Sequence, residues 1–274
     1  MIFETVKLGN LAEATLTPIC ISNTEELKMS PRRAVIVCPG GGYRFLSDRE
    51  AEPIALSFLA AGFATFVLRY GVKENAKNYR PLKAAALAIR YVRENAEKYN
   101  VDPNYVFICG FSAGGHLAAS SGVLWEHPVL DEVLADAPRD IARPTGMILS
   151  YPVITAGPLA HQGSINNLCG KENPSDEERL PFSLEKHVTK STPPAFLWHT
   201  VNDAIVPVQN SLMMAGALTE AGVPFEMHIW PAGPHGGALC NEITACGQSS
   251  YLMPDAAEWI SLAISWAKKL QPKQ

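Results

Sequence analysis

The segment Gly110-Phe111-Ser112-Ala113-Gly114-Gly115 sets one serine among small residues, directly after the apolar run Tyr105–Cys109 and before the alanine-rich stretch His116–Leu124. A serine hydroxyl is a weak nucleophile at neutral pH and attacks a carbonyl only when a base removes its proton. The spacing fits G-x-S-x-G, a short pattern that chance also produces. Its setting between a strand and a helix is what a nucleophile elbow requires, and it favours that reading over a plain glycine turn capping a helix. A second segment, Pro39-Gly40-Gly41-Gly42-Tyr43, follows the apolar run Ala34–Cys38. Three consecutive glycines cost backbone entropy and make sense where the chain must approach a ligand closely. The amides of Gly41 and Gly42, with that of Ala113, are candidates to hold an oxyanion that develops during acyl transfer. No Gly-Lys-Ser/Thr follows, so a phosphate loop is disfavoured.

Such a serine needs an imidazole, and the imidazole needs a carboxylate to set its tautomer and stabilise its cation. On a strand-and-helix scaffold the chain order is serine, acid, histidine. Asp203 lies just past the run Ala195–His199, and His235 lies among glycines after the run Phe225–Trp230. The competing readings are a helix N-cap for Asp203 and an ordinary loop histidine for His235. The other histidines fare worse by position. His116 falls inside a helix, His199 and His228 fall inside strands, and His127, His161 and His187 fall in loops. Of these only His161 is a candidate substrate contact. Asp136 and Asp140 precede a strand and would serve only after an unusual rearrangement.

The elements that must position these groups follow from periodicity. Six short apolar runs predict strands at residues 34–38, 64–68, 105–109, 147–150, 195–199 and 225–230. Helical patterns lie between them at 49–61, 81–99, 113–123, 208–221 and 255–270. The alternation predicts an α/β fold, a mostly parallel sheet with helices on both faces. The first 30 residues read as a β-hairpin at the sheet edge, turning near Gly9-Asn10, and such an edge offers a pairing surface for a homo-oligomer. The interval of about 44 residues between Ser150 and Ala195 is rich in Pro, Gly, Asn and charge. It is too long for a structureless loop, so a small lid or cap at about 151–194, with one or two short helices, is expected.

Composition narrows the function classes. The chain has 274 residues with 47% hydrophobic and 18% charged, enough for a large core and a single domain. Its formal charge of −4 leaves no cationic excess for nucleic acid or an anionic membrane surface. Six cysteines are scattered without CxxC or zinc spacing, and MIFETVKLGN has no basic start leading to an apolar run. A reduced, cytoplasmic protein without metal or disulfide framework is the expectation.

The segments PGGGY, GFSAGGHLA, NDAIVP and GPHG together resemble the α/β-hydrolase superfamily. They are most similar to the bacterial esterase/lipase-like group that includes carbohydrate acetylesterases and acetylxylan/feruloyl esterases. The likeness runs from about Ala34 to Leu270. It departs from the hormone-sensitive-lipase-like branch, which carries His-Gly-Gly-Gly where this chain has Pro39. The resemblance implies the α/β-hydrolase fold and a carboxylesterase acting on short acyl groups. It assigns nucleophile to Ser112, acid to Asp203 and base to His235, the same three chosen from the residues. The expected partner is a small-molecule ester, with acetylated oligosaccharide preferred, and no cofactor is needed. Tyr43 and Tyr151 are candidates to stack on a sugar ring at the site mouth. A serine peptidase, an arylformamidase-like amidase and a non-catalytic binding module are the alternatives on the same fold.

Overall fold

The structure is a computed structural model that describes residues 1–271. Its strands are β1 (Val6–Leu8), β2 (Leu11–Ile19), β3 (Arg32–Cys38), β4 (Ala64–Arg69), β5 (Val101–Phe111), β6 (Gly146–Ser150), β7 (Ala195–Thr200) and β8 (Phe225–Trp230). They form one sheet in the order β1-β2-β4-β3-β5-β6-β7-β8. β3 to β8 run parallel, and β1 and β2 join antiparallel at one edge.

The helices are α1 (Glu52–Ala60), α2 (Arg80–Glu94), α3 (Ala96–Tyr99), α4 (Ala113–Val123), α5 (Asp131–Leu134), α6 (Gln162–Cys169), α7 (Asp176–Arg179), α8 (Gln209–Glu220) and α9 (Trp259–Lys269). None is long and apolar enough to cross a membrane.

The inner strands are apolar on both faces because each face meets helices. In β3, Ala34, Ile36 and Cys38 enter one core with Leu82 and Ile89 of α2 and Leu117 of α4. Val35 and Val37 enter the other, with Phe58 of α1 and Trp259 of α9. The same alternation runs through β5, where Val106 and Ile108 face one core and Phe107, Cys109 and Phe111 the other.

From β3 the chain passes along one face to β4, then along the opposite face to β5 on the other side of β3. The connections after β3 and β5 therefore diverge and leave a crevice at the strands' carboxyl ends, where open α/β sheets bind ligands. The glycine loop after β3 and Ser112 after β5 both lie there.

Several expected boundaries move. The 49–61 helix splits into a 3-10 turn at Asp48–Glu50 and α1, because Ala51 (φ −110°, ψ −105°) leaves helical geometry. The 81–99 helix breaks at Asn95 (φ −108°, ψ 25°) into α2 and α3. The hairpin ends at Ile19 and turns at Gly9 (φ +54°), and residues 22–31 carry no strand. The 151–194 interval holds α6 and α7 plus short 3-10 turns, with Ile154, Ile165 and Leu184 buried against the main core. All six cysteines are free thiols.

One contact fixes the crevice. A Cβ on Gly114 would overlap the carbonyl oxygens of Cys38 and Pro39, so α4 touches the end of β3 backbone to backbone. Gly114→Ala would ordinarily favour a helix by about 1 kcal/mol. Here it should instead destabilise the protein by about 2 kcal/mol, through overpacking against a carbonyl that cannot move alone. Urea unfolding of the variant checks this, and an unchanged or higher midpoint would show that the contact is not constraining.

Candidate active site

Ser112 sits between β5 and α4 with φ 53° and ψ −116°, a conformation strained for any residue with a side chain. Its backbone is held from three sides. Its N–H donates to Ser150 O (3.0 Å), and its carbonyl accepts from His116 N (3.0 Å) and Val153 N (3.1 Å). Gly110 permits the turn, since a Cβ there would overlap the Gly114 carbonyl. The hydroxyl consequently stands at the crevice, and the residue keeps 7% of its surface exposed.

His235 reaches it from the loop after β8. His235 Nε2 lies 2.7 Å from Ser112 Oγ, and His235 Nδ1 lies 2.6 Å from Asp203 Oδ2. A carboxylate oxygen only accepts, so Nδ1 carries the proton and Nε2 is free to accept from the serine hydroxyl. Asn202 and Thr200 bind the backbone of Gly233, at 2.7 and 2.8 Å, and tie the histidine loop to the loop that bears Asp203.

The Asp203 side chain is fully buried. Its Oδ1 accepts from the amides of Ile205 and Val206, both at 2.9 Å. Its Oδ2 meets His235 and also His199 Nε2 at 3.3 Å. His199 Nε2 also lies 2.9 Å from the Val206 carbonyl, which requires a proton on that nitrogen, and Ser211 Oγ lies 2.8 Å from Nδ1. Burial pushes the Asp203 carboxyl up. The hydrogen bonds from His199 and His235, the charge of His235 and the Val206 amide outweigh it, and hold the group well below the usual carboxylate range.

Gly41 (φ 127°) and Gly42 (φ 65°) take backbone conformations that suit glycine. A Cβ on Gly41 would overlap the Phe45 carbonyl. Among the described residues, the amides of Gly41, Gly42 and Ala113 donate to no protein acceptor. Gly41 and Gly42 border a cavity of about 450 Å³ that also holds Ser112, His235 and His161, and Ala113 follows Ser112 directly at the start of α4.

His161 is the N-cap of α6. Its Nδ1 accepts from Ser164 N (3.3 Å) and lies 2.8 Å from Ser164 Oγ. That leaves the proton on Nε2, a neutral donor on the cavity wall. Burial and the nearby His235 push its pKa down, against a smaller opposite pull from Asp203.

The two tyrosines expected at the mouth are elsewhere, which corrects that expectation. Tyr43 is 1% exposed, its φ of 55° turning the ring beneath the loop against Tyr70, with its hydroxyl 2.9 Å from His116 Nδ1. Tyr151 is 2% exposed; its ring packs edge-on to His235 at 5.0 Å. Its hydroxyl donates to Glu50 Oε1 (2.6 Å) and accepts from Ala238 N (3.0 Å). Neither presents a face to a ligand.

Glu50, His116 and His199 play parts that sequence reasoning missed. Glu50 Oε2 accepts from Gly40 N at 2.9 Å, so this carboxylate joins the glycine loop, through Tyr151, to the histidine loop. The acid in Asp48-Arg49-Glu50, a few residues past the glycines, was the available signal.

The parallel sheet, the elbow serine at its crevice and the adjoining Ser–His–Asp arrangement together define an α/β-hydrolase. Comparison with known proteins agrees and is more specific: the BD-FAE family model matches residues 23–218, and the chain belongs to that family. It is similar to endo-1,4-beta-xylanase B of Butyrivibrio fibrisolvens, at 42% identity over 217 residues, covering 77% of this chain and 33% of that protein. It is similar to an acetylxylan esterase of Xylanibacter ruminicola, at 32% identity over 209 residues, covering 74% and 41%. The chain thus spans less than half the length of these two relatives. The crystal structure of an acetyl ester-xyloside bifunctional hydrolase from Caldicellulosiruptor lactoaceticus matches with TM-score 0.79 at 37% identity, over 93% of this chain and 87% of that one.

His116 yields a pH dependence. Its Nε2 lies 3.0 Å from the Phe182 carbonyl and must donate, so Nδ1 accepts from Tyr43 and the ring is neutral. Burial pushes its pKa down from 6.5 to about 4. Its unfolded form binds a proton more readily than the fold does, so its contribution is complete above pH 6.5 and is lost as pH falls toward 4. That loss is on the order of 3 kcal/mol. Chemical unfolding at pH 7 and pH 4.5 should show a clearly smaller acid loss for His116→Gln than for the parent. Equal losses would refute the assignment.

Proposed function

We propose that this protein is a serine carboxylic-ester hydrolase that removes short acyl groups, acetyl above all, from acetylated sugars or oligosaccharides. The observation that carries the reading is the hydrogen-bonded line Ser112–His235–Asp203, whose serine and histidine share one cavity with the glycine loop of Gly41 and Gly42.

In this reading Ser112 Oγ attacks the ester carbonyl as His235 Nε2 takes its proton, and Asp203 stabilises the resulting imidazolium. The amides of Gly41, Gly42 and Ala113 receive the oxyanion; such donors are typically worth about 10²–10³ in turnover each. His235 returns the proton to the departing alcohol. Water, deprotonated by His235, then cleaves the acyl-enzyme and releases the acid. The segment at 151–194 acts as a cap over the pocket and supplies His161 and Asn167 to its wall. The acetyl preference draws support from the relatives named for acetylxylan and acetyl ester-xyloside hydrolysis.

Hydrolysis of chromogenic esters with two to twelve acyl carbons tests the reading. The acetyl ester should turn over fastest, with rates falling as the chain lengthens. Ser112→Ala should lose at least about 10³-fold. Absence of ester turnover, or equal turnover in the variant, would sink the mechanism.

A further inference from the structure

Most arginines of the chain are engaged. Arg69, Arg80, Arg90 and Arg139 pair with carboxylates. Arg32 and Arg93 are spent on backbone carbonyls. Two others line the pocket with Ser112 and His235, and neither pairs with a carboxylate among the described residues. Arg44 is exposed and meets no acceptor among the described residues. Arg49 donates once, from Nε to Thr244 O at 2.6 Å, and its guanidinium lies 4.1 Å from the centroid of the Tyr251 ring. Among the described residues, neither of its terminal nitrogens has an acceptor. Nη2 is buried, and Nη1 lies 3.9 Å from where a Cβ on Gly236 would stand, next to His235.

We propose that the pocket selects esters that carry a carboxylate close to the scissile bond, with Arg49 receiving that group and Arg44 reinforcing it at the rim. The inference rests on the esterase reading above and adds the charge class of the substrate.

Three observations support it. A guanidinium stacked on an aromatic ring is held in a fixed plane, and carboxylates match such a planar fork. A buried N–H without an acceptor is unfavourable, and an arriving anion beside Arg49 offsets that burden. Among the described residues that line the pocket, no free acid competes. Glu50 lines the pocket, but it is 4% exposed and both its oxygens are occupied, and the Asp203 side chain is fully buried behind His235.

Beyond the rim the charges are mixed, with Lys171 paired to Glu178. A neighbouring cavity of about 390 Å³ shares Arg44 and Asn167 with the pocket and adds Lys73, Lys77 and Lys171, against Glu74 and Glu172. This occurs on a chain whose formal charge is −4. The local attraction for an anion near the scissile bond therefore comes from Arg44 and Arg49 themselves, against the sign of the whole protein.

The carboxylate has two possible sources, a uronic acid on the alcohol side or a dicarboxylic acyl group, and paired ligands distinguish them. Calorimetric titration of the Ser112→Ala protein at low salt compares methyl glucuronoside with methyl glucoside, and monomethyl succinate with methyl butyrate. In at least one pair the anionic member should bind about tenfold or more tightly, and the pair concerned identifies the side. The gap should shrink in 0.5 M salt and approach one in Arg49→Gln. Because Arg49 also holds the Thr244 carbonyl, Arg44→Gln is tested separately and should narrow the gap without that risk. The absence of preference in both pairs, including absence of all binding, overturns the proposal, as does a gap that survives both substitutions. Acetyl-ester turnover by the unsubstituted protein is measured alongside, so failure of the esterase reading is read independently.

Discussion

The whole site depends on a close approach of backbone to backbone where α4 begins. Gly110 packs on the carbonyl of Gly114, Gly114 packs on the carbonyls of Cys38 and Pro39, and a Cβ on Gly40 would lie 2.6 Å from Phe111 O. No side chain fits at any of these positions. The consequence is that the glycine loop after β3 and the serine after β5 share one crevice, though about 70 residues separate them. The strained Ser112 conformation costs about 1–3 kcal/mol. It persists because three backbone hydrogen bonds and two parallel strands leave the chain no alternative path. Strain and positioning are here the same fact.

Once the serine is placed, electrostatics decides what it can do. Asp203 is an acid whose side chain is fully buried, and such a group would ordinarily protonate. Two amides and two imidazoles donate to it instead, so the charge is retained. That charge fixes the His235 tautomer, and the tautomer leaves Nε2 open toward Ser112. His199 matters because its proton is committed to the Val206 carbonyl and the carboxylate together, and because its other nitrogen is occupied by Ser211. It supplies a donor without becoming a competing base. Loss of ionisation at Asp203 would thus disturb the fold of the 203–206 turn and the histidine at once.

The parts legible in the sequence are those that local pattern controls. Six strands follow from short apolar runs, because a parallel strand covered on both faces has few polar positions. The sequence singles out Ser112, Asp203 and His235 because each lies just past such a strand, and the structure brings the three within hydrogen-bond distance because strand ends converge in this architecture. What was not legible depends on side-chain direction or on long-range pairing. Tyr43 and Tyr151 are next to the right residues in sequence, yet positive φ values of 55° and 36° turn both rings inward. Glu50 acquires its role from Tyr151, 101 residues away, and no periodicity encodes that meeting. The break at Asn95 was hidden because apolar spacing continues across it while the backbone does not. The Arg49 environment is assembled from the C-terminal loops around Thr244 and Tyr251, which have no repeating pattern to read.

These two levels of control have different evolutionary freedom in physical terms. The Asp203 turn and the Glu50–Tyr151 tie are closed networks in which the donors named above are already matched. A change in any one leaves a buried polar group unpaired or a backbone displaced. The pocket walls are different. His161 presents one outward donor from the cap of α6, and Arg44 and Arg49 present guanidinium groups that the protein itself does not neutralise. These groups make no hydrogen bond to Ser112 or His235. In the proposed reading, reaction type resides in the sheet and its strand ends, whereas substrate choice resides in the 151–194 segment and the loops around residues 44–49 and 236–251. A relative with the same triad and a different wall should share the chemistry and differ in substrate, because the hydrogen bonds that set the imidazole tautomer do not pass through that wall.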